Sequence, residues 1–174
     1  MSDTISIRLC GAEDAAALSL IGSATFLETF ADSIEGPDII AHCRGPHGAA
    51  TYAKYLADPE SRCWLAEVAD TGSPIGYQLL TAPDLPIEIR PGDIELKRIY
   101  IFSNYHGGGL ARRLMETAIK EARAMGRKRL LLGVYAENPR AIAFYTKMGF
   151  EVVGDRWFTV GSRDFYDKVM ARAL

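Results

Sequence analysis

A strand that leads through a glycine-rich turn into a basic helix, over residues 99–115 (IYIFSNYHGGGLARRLM), limits the fold more than any other segment. Apolar residues recur at helical spacing from Gly109 to Met125, and Gly126 ends this helix. The segment Leu130 to Tyr135 (LLLGVY) is almost wholly apolar, as in a strand covered on both faces. A strand, a helix and a second strand in this order predict a right-handed crossover. A ligand is then expected beyond the end of the first strand, where the helix begins.

The rest of the chain alternates short strands with helices. We predict one domain over residues 1–174, because no repeat, low-complexity tract or linker interrupts it. The order predicts an α+β fold with a central mixed, mostly antiparallel twisted sheet of about six to seven strands flanked by about four helices. Predicted strands cover 4–9, 64–68, 75–80, 94–101, 130–135, 151–153 and 165–170, and helices cover 14–30, 49–56, 109–125 and 138–149. Gly36-Pro37 is expected to break the chain, with only a helical turn over 39–42.

Composition excludes several classes of protein. Of 174 residues, 48% are hydrophobic, which is too apolar for a disordered chain. The formal charge of −2 gives no basic excess for a nucleic-acid partner, and no apolar run reaches the roughly 18 residues of a membrane span. The three cysteines, Cys10, Cys43 and Cys63, are far apart and predict a reducing, cytoplasmic location. His42, Cys43 and His47 lie close together without a fourth ligand nearby, so we predict no metal site.

Charge is distributed unevenly along the chain. No Lys or Arg occurs between Arg8 and Arg44, an interval with six acidic residues. The segment from Lys97 to Leu130 contains nine basic residues and only two acidic ones, Glu116 and Glu121. Either these are two solvated helix faces, or the second half of the chain binds a polyanion and the first half a cation.

The glycine-rich turn has the properties of a phosphate cradle. His106-Gly107-Gly108-Gly109-Leu110-Ala111 leads into the basic helix, where Arg112 and Arg113 add positive charge. Glycines let the backbone approach a ligand closely, and a helix start offers free N–H groups to an anion. The segment is neither a Walker A loop nor GxGxxG. Alternatively, the glycines serve only the steric needs of a tight turn.

A second segment, from Asn138 to Phe150 (NPRAIAFYTKMGF), has simple explanations for each residue alone. Asn138 suits a helix N-cap, and Tyr145 suits a core tyrosine. Together, however, the two segments resemble the GNAT superfamily of Gcn5-related N-acetyltransferases. Residues 106–111 fit its Arg/Gln-x-x-Gly-x-Gly/Ala motif with His in place of Arg or Gln, and residues 138–150 fit Asn-x-x-Ala-x-x-Phe-Tyr-x-x-x-Gly-Phe.

This resemblance implies acetyl-CoA as the cosubstrate. The backbone of Ile99, Tyr100 and Ile101 would pair with the pantetheine arm like an added strand. Asn138 would bond the same arm, and Tyr145 would lie near the sulfur. The pyrophosphate would be held by His106, Gly107, Gly108, Gly109, Leu110, Ala111 and Arg112.

The implied reaction needs a base and an acid. An alkylamine of pKa about 10.4 is mostly protonated at pH 7 and must lose a proton before it attacks. Tyr145 is the candidate acid for the leaving thiolate, and a backbone N–H near Tyr100 is the candidate oxyanion donor. Glu95 is the candidate base, because histone-type members carry a glutamate at the same distance before the end of this strand. A water-facing Glu95, with a water chain as the base, is the alternative.

The acceptor is predicted from charge and from a weaker resemblance. The first helices and the loop before Ile94 are acidic, which favours a small cationic amine. Segments such as Glu28-Thr29-Phe30 and Phe158-Thr159-Val160-Gly161 resemble the PaiA-type polyamine acetyltransferases. Acetylation of a protein N-terminus or lysine, and a non-catalytic acyl-CoA sensor on the same fold, are the alternatives. The resemblance is also compatible with a homodimer.

Overall fold

The computed structural model describes residues 4–174. Its seven strands form one sheet in the order β1-β2-β3-β4-β5-β7-β6, in which β4 and β5 are parallel and the other neighbours are antiparallel. The strands are β1 (Ile5–Leu9), β2 (Arg62–Val68), β3 (Ser73–Thr81), β4 (Asp93–Ile101), β5 (Arg129–Tyr135), β6 (Glu151–Val160) and β7 (Arg163–Ala173). The helices are α1 (Ala15–Phe30), α2 (Gly36–Arg44), α3 (Ala49–Ala57), α4 (Leu110–Ala124) and α5 (Pro139–Lys147). The predicted mixed α+β fold is confirmed.

Helices cover both faces of the sheet. On one face, the apolar stripe of α4 packs on alternate residues of β4 and β5, among them Ile94, Leu130 and Leu132. On the other face, Leu18 and Ile21 of α1 pack on β2 and β3. Leu131 points away from α4 and is buried with Leu85 of the loop 82–92, which explains why β5 is apolar at successive positions.

Two sequence predictions were wrong in extent. The helical turn expected over 39–42 is the nine-residue helix α2, because Pro37 occupies the first turn of that helix. Proline is favoured there, where its missing N–H has no intrahelical partner to lose. The last two strands are much longer than 151–153 and 165–170, because β6 and β7 form a hairpin across Gly161, which has φ +58°. That glycine provides the left-handed backbone of the turn.

The β4–β5 pair is stabilised at its start by a buried ion pair. The carboxylate of Asp93, which is 4% exposed, accepts hydrogen bonds from Arg129 Nε at 2.8 Å, Arg129 Nη2 at 2.7 Å and the Arg90 N–H at 2.8 Å. Burial raises the pKa of Asp93, but the hydrogen bonds from Arg129 and Arg90 outweigh it, and this pKa lies below its usual value.

Substituting Asp93→Asn is expected to lower the free energy of unfolding by about 3–5 kcal/mol, because it leaves the Arg129 charge without its anion. In the unmodified protein, a lowered pKa in the folded state means that this stabilisation is present above about pH 4 and is lost as the pH falls through the folded pKa. Urea unfolding at pH 7 and pH 3 measures both effects. Asp155→Asn, which breaks an exposed pair with Lys168, is the control and should leave the urea midpoint nearly unchanged. Equal stability of Asp93→Asn and the unmodified protein at pH 7 would contradict the prediction.

Candidate active site

Strands β4 and β5 separate after a short parallel ladder. They pair only from Asp93 with Arg129 to Glu95 with Leu131, whereas β4 stays paired with β3 as far as Ile101. The β5-facing edge of β4 is therefore without a strand partner beyond Glu95. This edge presents backbone N–H and C=O groups to any extended ligand that enters between the two strands.

A bulge in β4 sets which side chains face each side of this gap. Leu79 pairs with Arg98 and Leu80 with Leu96, so Lys97 is the extra residue. Ile99 and Ile101 consequently pack on the α4 side of the sheet. Arg98 and Tyr100 project to the opposite side, into a different cavity.

The junction cleft lies on the α4 side and has a volume of about 590 Å³. It brings together most of the predicted site residues, namely Ile99, Ile101, His106, Gly107, Gly109, Ala111, Arg112, Asn138 and Tyr145. The sequence interpretation did not single out Tyr105, Arg140, Ala141, Phe144 and Lys147, which also line it. All but Tyr105 belong to the 138–150 motif. Ala141 lies one helical turn from both Asn138 and Tyr145, so helix spacing was a signal for this residue.

The glycine turn leaves its amides free and its surroundings open. Between Gly107 and Arg112, no backbone N–H donates to a backbone acceptor within residues 4–174. Gly107 has φ +83° and Gly109 has φ +80°, and a Cβ at either position would meet nothing within 4 Å. Open space beside unpaired amides at a helix start fits a phosphate group, and Arg112, Arg140 and Lys147 add positive charge around it.

Two predicted residues lie at this turn without lining the cleft. Leu110 is 2% exposed, and its side chain packs in the core with Leu114. A Cβ on Gly108 would lie 3.9 Å from the carbonyl oxygen of Tyr105, and its φ is not positive. Only the backbone amides of these two residues are available to a ligand.

His106 and Asn138 each make a local hydrogen bond. His106 Nε2 donates to the carbonyl oxygen of Ile101 at 3.0 Å, so the ring ties the turn to the end of β4. Asn138 Oδ1 accepts from the Ala141 N–H at 3.1 Å and caps α5. The cap leaves the side-chain NH₂ of Asn138 available to a ligand in the cleft.

Tyr145 is held by aromatic packing. Its ring contacts Phe144 and Phe150 at centroid distances of 5.4 Å and 5.9 Å. Burial, and to a smaller degree the nearby Tyr100, raises the pKa of Tyr145 well above its usual value of about 10. The hydroxyl therefore stays protonated at neutral pH and is available to donate a hydrogen bond to a ligand.

Glu95 has a contact that the sequence did not predict. Its side chain is 1% exposed, and its carboxylate accepts a hydrogen bond from the Asp84 N–H at 2.8 Å. This bond attaches the loop 82–92 to β4. Asp84 itself lines the cavity on the far side of the sheet.

That second cavity, called here the aromatic cavity, is lined by residues of α1, α2, α3, β4, β5 and the β6–β7 hairpin and has a volume of about 520 Å³. Its apolar wall includes Phe26, Phe30, Tyr135, Phe158 and Phe165. Tyr100 lines this cavity, while its neighbours Ile99 and Ile101 line the junction cleft. The two spaces thus lie on opposite faces of the same strand segment, beside the gap between β4 and β5.

Several of the acidic residues expected to frame an acceptor are engaged elsewhere. Asp14 pairs with Arg8, Glu28 accepts hydrogen bonds from Ser103, and Asp93 pairs with Arg129. Asp84 and Asp167 are the carboxylates that line the aromatic cavity. The acidic composition of residues 9–43 therefore does not give this cavity an acidic wall.

Across residues 4–174, no three or more His, Cys, Asp or Glu side chains are arranged to hold a metal ion. No helix in the same part of the chain is both long and apolar enough to cross a membrane.

The gap between β4 and β5, the free amides of the glycine turn, the junction cleft and the aromatic cavity together suit an enzyme that joins an extended, phosphate-bearing donor to a small acceptor. A family model described as acetyltransferase (GNAT) family matches residues 27–150. An uncharacterized N-acetyltransferase of Mycobacterium tuberculosis is 32% identical over 161 residues, which cover 92% of this chain and 98% of that protein. The chain belongs to the GNAT acetyltransferase family, and acetyl-CoA is its cosubstrate.

Solved structures share the fold over almost the whole chain. PaiA N-acetyltransferase from Thermoplasma acidophilum in complex with coenzyme A superposes with a TM-score of 0.77 and 22% identity, covering 98% of this chain and 99% of that one. A chimera of the spermidine N-acetyltransferase SpeG from Vibrio cholerae and hSSAT superposes with a TM-score of 0.69 and 22% identity, covering 97% of this chain and 95% of that one. At these identities the likeness is one of fold.

Proposed function

We propose that the chain acetylates the primary amine of a small molecule by direct attack on acetyl-CoA in a ternary complex. The observation that carries this proposal is the segment 98–101 of β4. Its backbone edge is open toward β5, and its side chains alternate between the junction cleft and the aromatic cavity. A donor bound in the junction cleft and an acceptor bound in the aromatic cavity would meet at this segment.

The junction cleft would hold the donor. The pantetheine arm would pair with the backbone of Ile99, Tyr100 and Ile101 and bond the amide of Asn138. The pyrophosphate would accept hydrogen bonds from the amides of residues 107–112, with Arg112 adding charge. His106 would act indirectly, because its ring is bonded to Ile101 and keeps the turn in register with β4.

The reaction consumes an ammonium ion and releases one proton to solvent. The ammonium first loses a proton, and the free nitrogen attacks the thioester carbonyl carbon. The C–N bond forms and the C–S bond breaks, the nitrogen loses its second proton, and the sulfur leaves with the electron pair of the C–S bond. Tyr145 would supply a hydrogen bond and then a proton to that sulfur, and a backbone N–H near Tyr100 would stabilise the oxyanion.

Glu95 stays the proposed base. It lies on the same side of β4 as Arg98 and Tyr100, because the bulge at Lys97 shifts the alternation of side chains by one residue. Its carboxylate does not line the aromatic cavity, so it would act on the amine through water.

Glu95→Gln separates this role from the structural one. The amide oxygen of glutamine can still accept the Asp84 N–H, so the loop 82–92 should stay attached. We expect kcat to fall roughly 100- to 1,000-fold with an unchanged melting temperature, because general-base catalysis contributes on this scale. Steady-state kinetics from pH 6 to pH 10 measure the loss. Glu95→Ala, which also removes the acceptor for Asp84, should in addition be less stable. Normal kcat in Glu95→Gln would leave a water chain as the base.

Two other kinds of acceptor, and a non-catalytic role, are tested together. A polyamine acceptor draws support from the PaiA and SpeG folds, but the aromatic cavity supplies few carboxylates for it. A protein N-terminus or lysine would need an open groove, and a non-catalytic sensor would bind acetyl-CoA without turnover.

A homodimer and a cytoplasmic location also stay predictions. The exposed Val152, Val153 and Trp157 of the edge strand β6 are where subunit contact would be sought first.

Release of the CoA thiol measures the proposal directly. The purified chain is incubated with acetyl-CoA and a panel of amino acids, arylalkylamines, spermidine and lysine peptides, and the products are identified by mass spectrometry. Turnover of a small amine supports the proposal. Turnover restricted to peptides contradicts the small-molecule acceptor, and tight acetyl-CoA binding with no turnover supports the sensor.

A further inference from the structure

The aromatic cavity has a surplus of positive charge. Its charged lining residues are Lys97, Arg98, Arg156, Asp84 and Asp167. The histidines in its wall do not change this balance at neutral pH. Burial, followed by the charge of Arg98, lowers the pKa of His42 to about 4 and that of His47 to about 3, so both rings are neutral.

Two of the three cations that line the aromatic cavity are paired with carboxylates, and the third is not. Arg156 Nη2 binds Asp167 Oδ2 at 2.6 Å, and Lys97 Nζ lies 3.6 Å from Asp84 Oδ2. The Asp84 side chain is 88% exposed, so this second pair is largely solvated. Arg98 forms no ion pair with any carboxylate among residues 4–174.

Arg98 is fixed in position although its charge is unmatched. Its guanidinium carbon lies 5.3 Å from the ring centroid of Tyr52 and 5.9 Å from that of Tyr55. Its Nη1 atom is buried and makes no hydrogen bond within the described chain. A buried donor on a charged group that lacks an acceptor is costly. A ligand carboxylate would satisfy it, and the planar fork of arginine suits that group.

The other residues of the cavity wall indicate what the rest of such a ligand would be. Phe26, Phe30, Phe158 and Phe165 line the cavity with aromatic rings. A volume of about 520 Å³ accommodates a small molecule with one ring. A polyamine would instead bring further positive charge next to Arg98, which is repulsive.

We propose that the acceptor is an amine that also carries a carboxylate and an apolar body, such as an aromatic amino acid, with the carboxylate bound by Arg98. This inference rests on the proposed function, since it names the acceptor class of the same site. It assigns Arg98 to acceptor binding, with no part in holding CoA, because the guanidinium lies on the opposite side of β4 from the junction cleft.

Three amines with the same phenylethylamine skeleton test whether the site recognises a carboxylate on the acceptor. Phenylalanine, phenylalanine amide and 2-phenylethylamine are compared with spermidine by CoA-thiol release. We expect kcat/KM for phenylalanine to exceed that for the other three by roughly 10- to 100-fold, the usual weight of a hydrogen bond to a charged group. This comparison uses the unmodified chain, so it does not depend on whether a variant folds.

Variants then assign the preference to Arg98. Arg98→Gln should remove the advantage of phenylalanine over its amide, and Arg98→Lys should keep part of it, while CoA affinity measured by calorimetry stays unchanged in both. Arg44→Gln, which removes the same charge from an exposed position on α2, should keep the full preference. A preferred acceptor without a carboxylate, or an Arg98→Gln variant that still favours phenylalanine over its amide, overturns the inference and leaves the proposed function intact. No thiol release with any amine overturns both.

Discussion

Replacing Tyr145 with phenylalanine is expected to lower kcat about 100-fold or more at pH 7 while the affinity for CoA stays nearly the same. The ring packing on Phe144 and Phe150 is kept, so only the hydroxyl is lost. Without it, the departing sulfur has no positioned donor. The thiol pKa is about 8.5, so the deficit should narrow above that pH, where the thiolate is stable without a proton. Stopped-flow detection of the free thiol from pH 6.5 to pH 9.5 measures both features.

The matched control is Tyr166→Phe, which removes a hydroxyl bonded to Asp155 on the exposed β6–β7 hairpin. This variant should keep the rate of the unmodified chain. Full activity of Tyr145→Phe at pH 7 would show that solvent protonates the thiolate. A loss of kcat in Tyr145→Phe that is the same at every pH would instead mean that Tyr145 positions the donor.

Replacing Gly109 with valine is expected to weaken CoA binding at least 100-fold. Gly109 has φ +80° just before α4, a conformation that costs a residue with a Cβ about 1–2 kcal/mol. Open space now surrounds that position, and the valine side chain would fill it where the phosphate is expected. Loss of two amide hydrogen bonds to a charged group, at about 1.5–3 kcal/mol each, accounts for the predicted change. Isothermal titration with CoA measures it.

Gly126→Val distinguishes lost binding from lost stability. Gly126 also has a positive φ, +73°, with nothing within 4 Å of a Cβ, but it lies at the other end of α4. Both variants should therefore lose similar stability in urea unfolding, and only Gly109→Val should lose CoA. Equal CoA affinity in the two variants would rule out the glycine turn as the pyrophosphate site.

The residues that line the junction cleft were largely predictable, because the signals for them are local. The 106–112 turn and the 138–150 motif each lie within a single strand–helix junction or helix, where residue spacing fixes which groups share a face. His106, Gly107, Gly109, Asn138 and Tyr145 accordingly line one cleft. Local context also misled, since Gly36-Pro37 reads as a break but Pro37 lies in the first turn of α2.

The charges around the aromatic cavity were not predictable in the same way. Residues 9–43 are acidic in composition, but partners distant in sequence decide what each carboxylate does: Ser103 engages Glu28, and Ser162 donates its backbone N–H to Asp38. Arg98 was counted among the basic residues of the CoA-binding half. The bulge at Lys97 instead turns it to the other side of the sheet.

The sequence by itself determined the α+β order, the GNAT family and the donor that this family uses, because each rests on patterns contained within short segments of the chain. The tertiary structure alone decided which charges face the aromatic cavity and which are neutralised elsewhere. The cavity wall is assembled from segments between Phe26 and Asp167. Whether a charge is paired depends on distances across the fold, and spacing along the chain does not contain them.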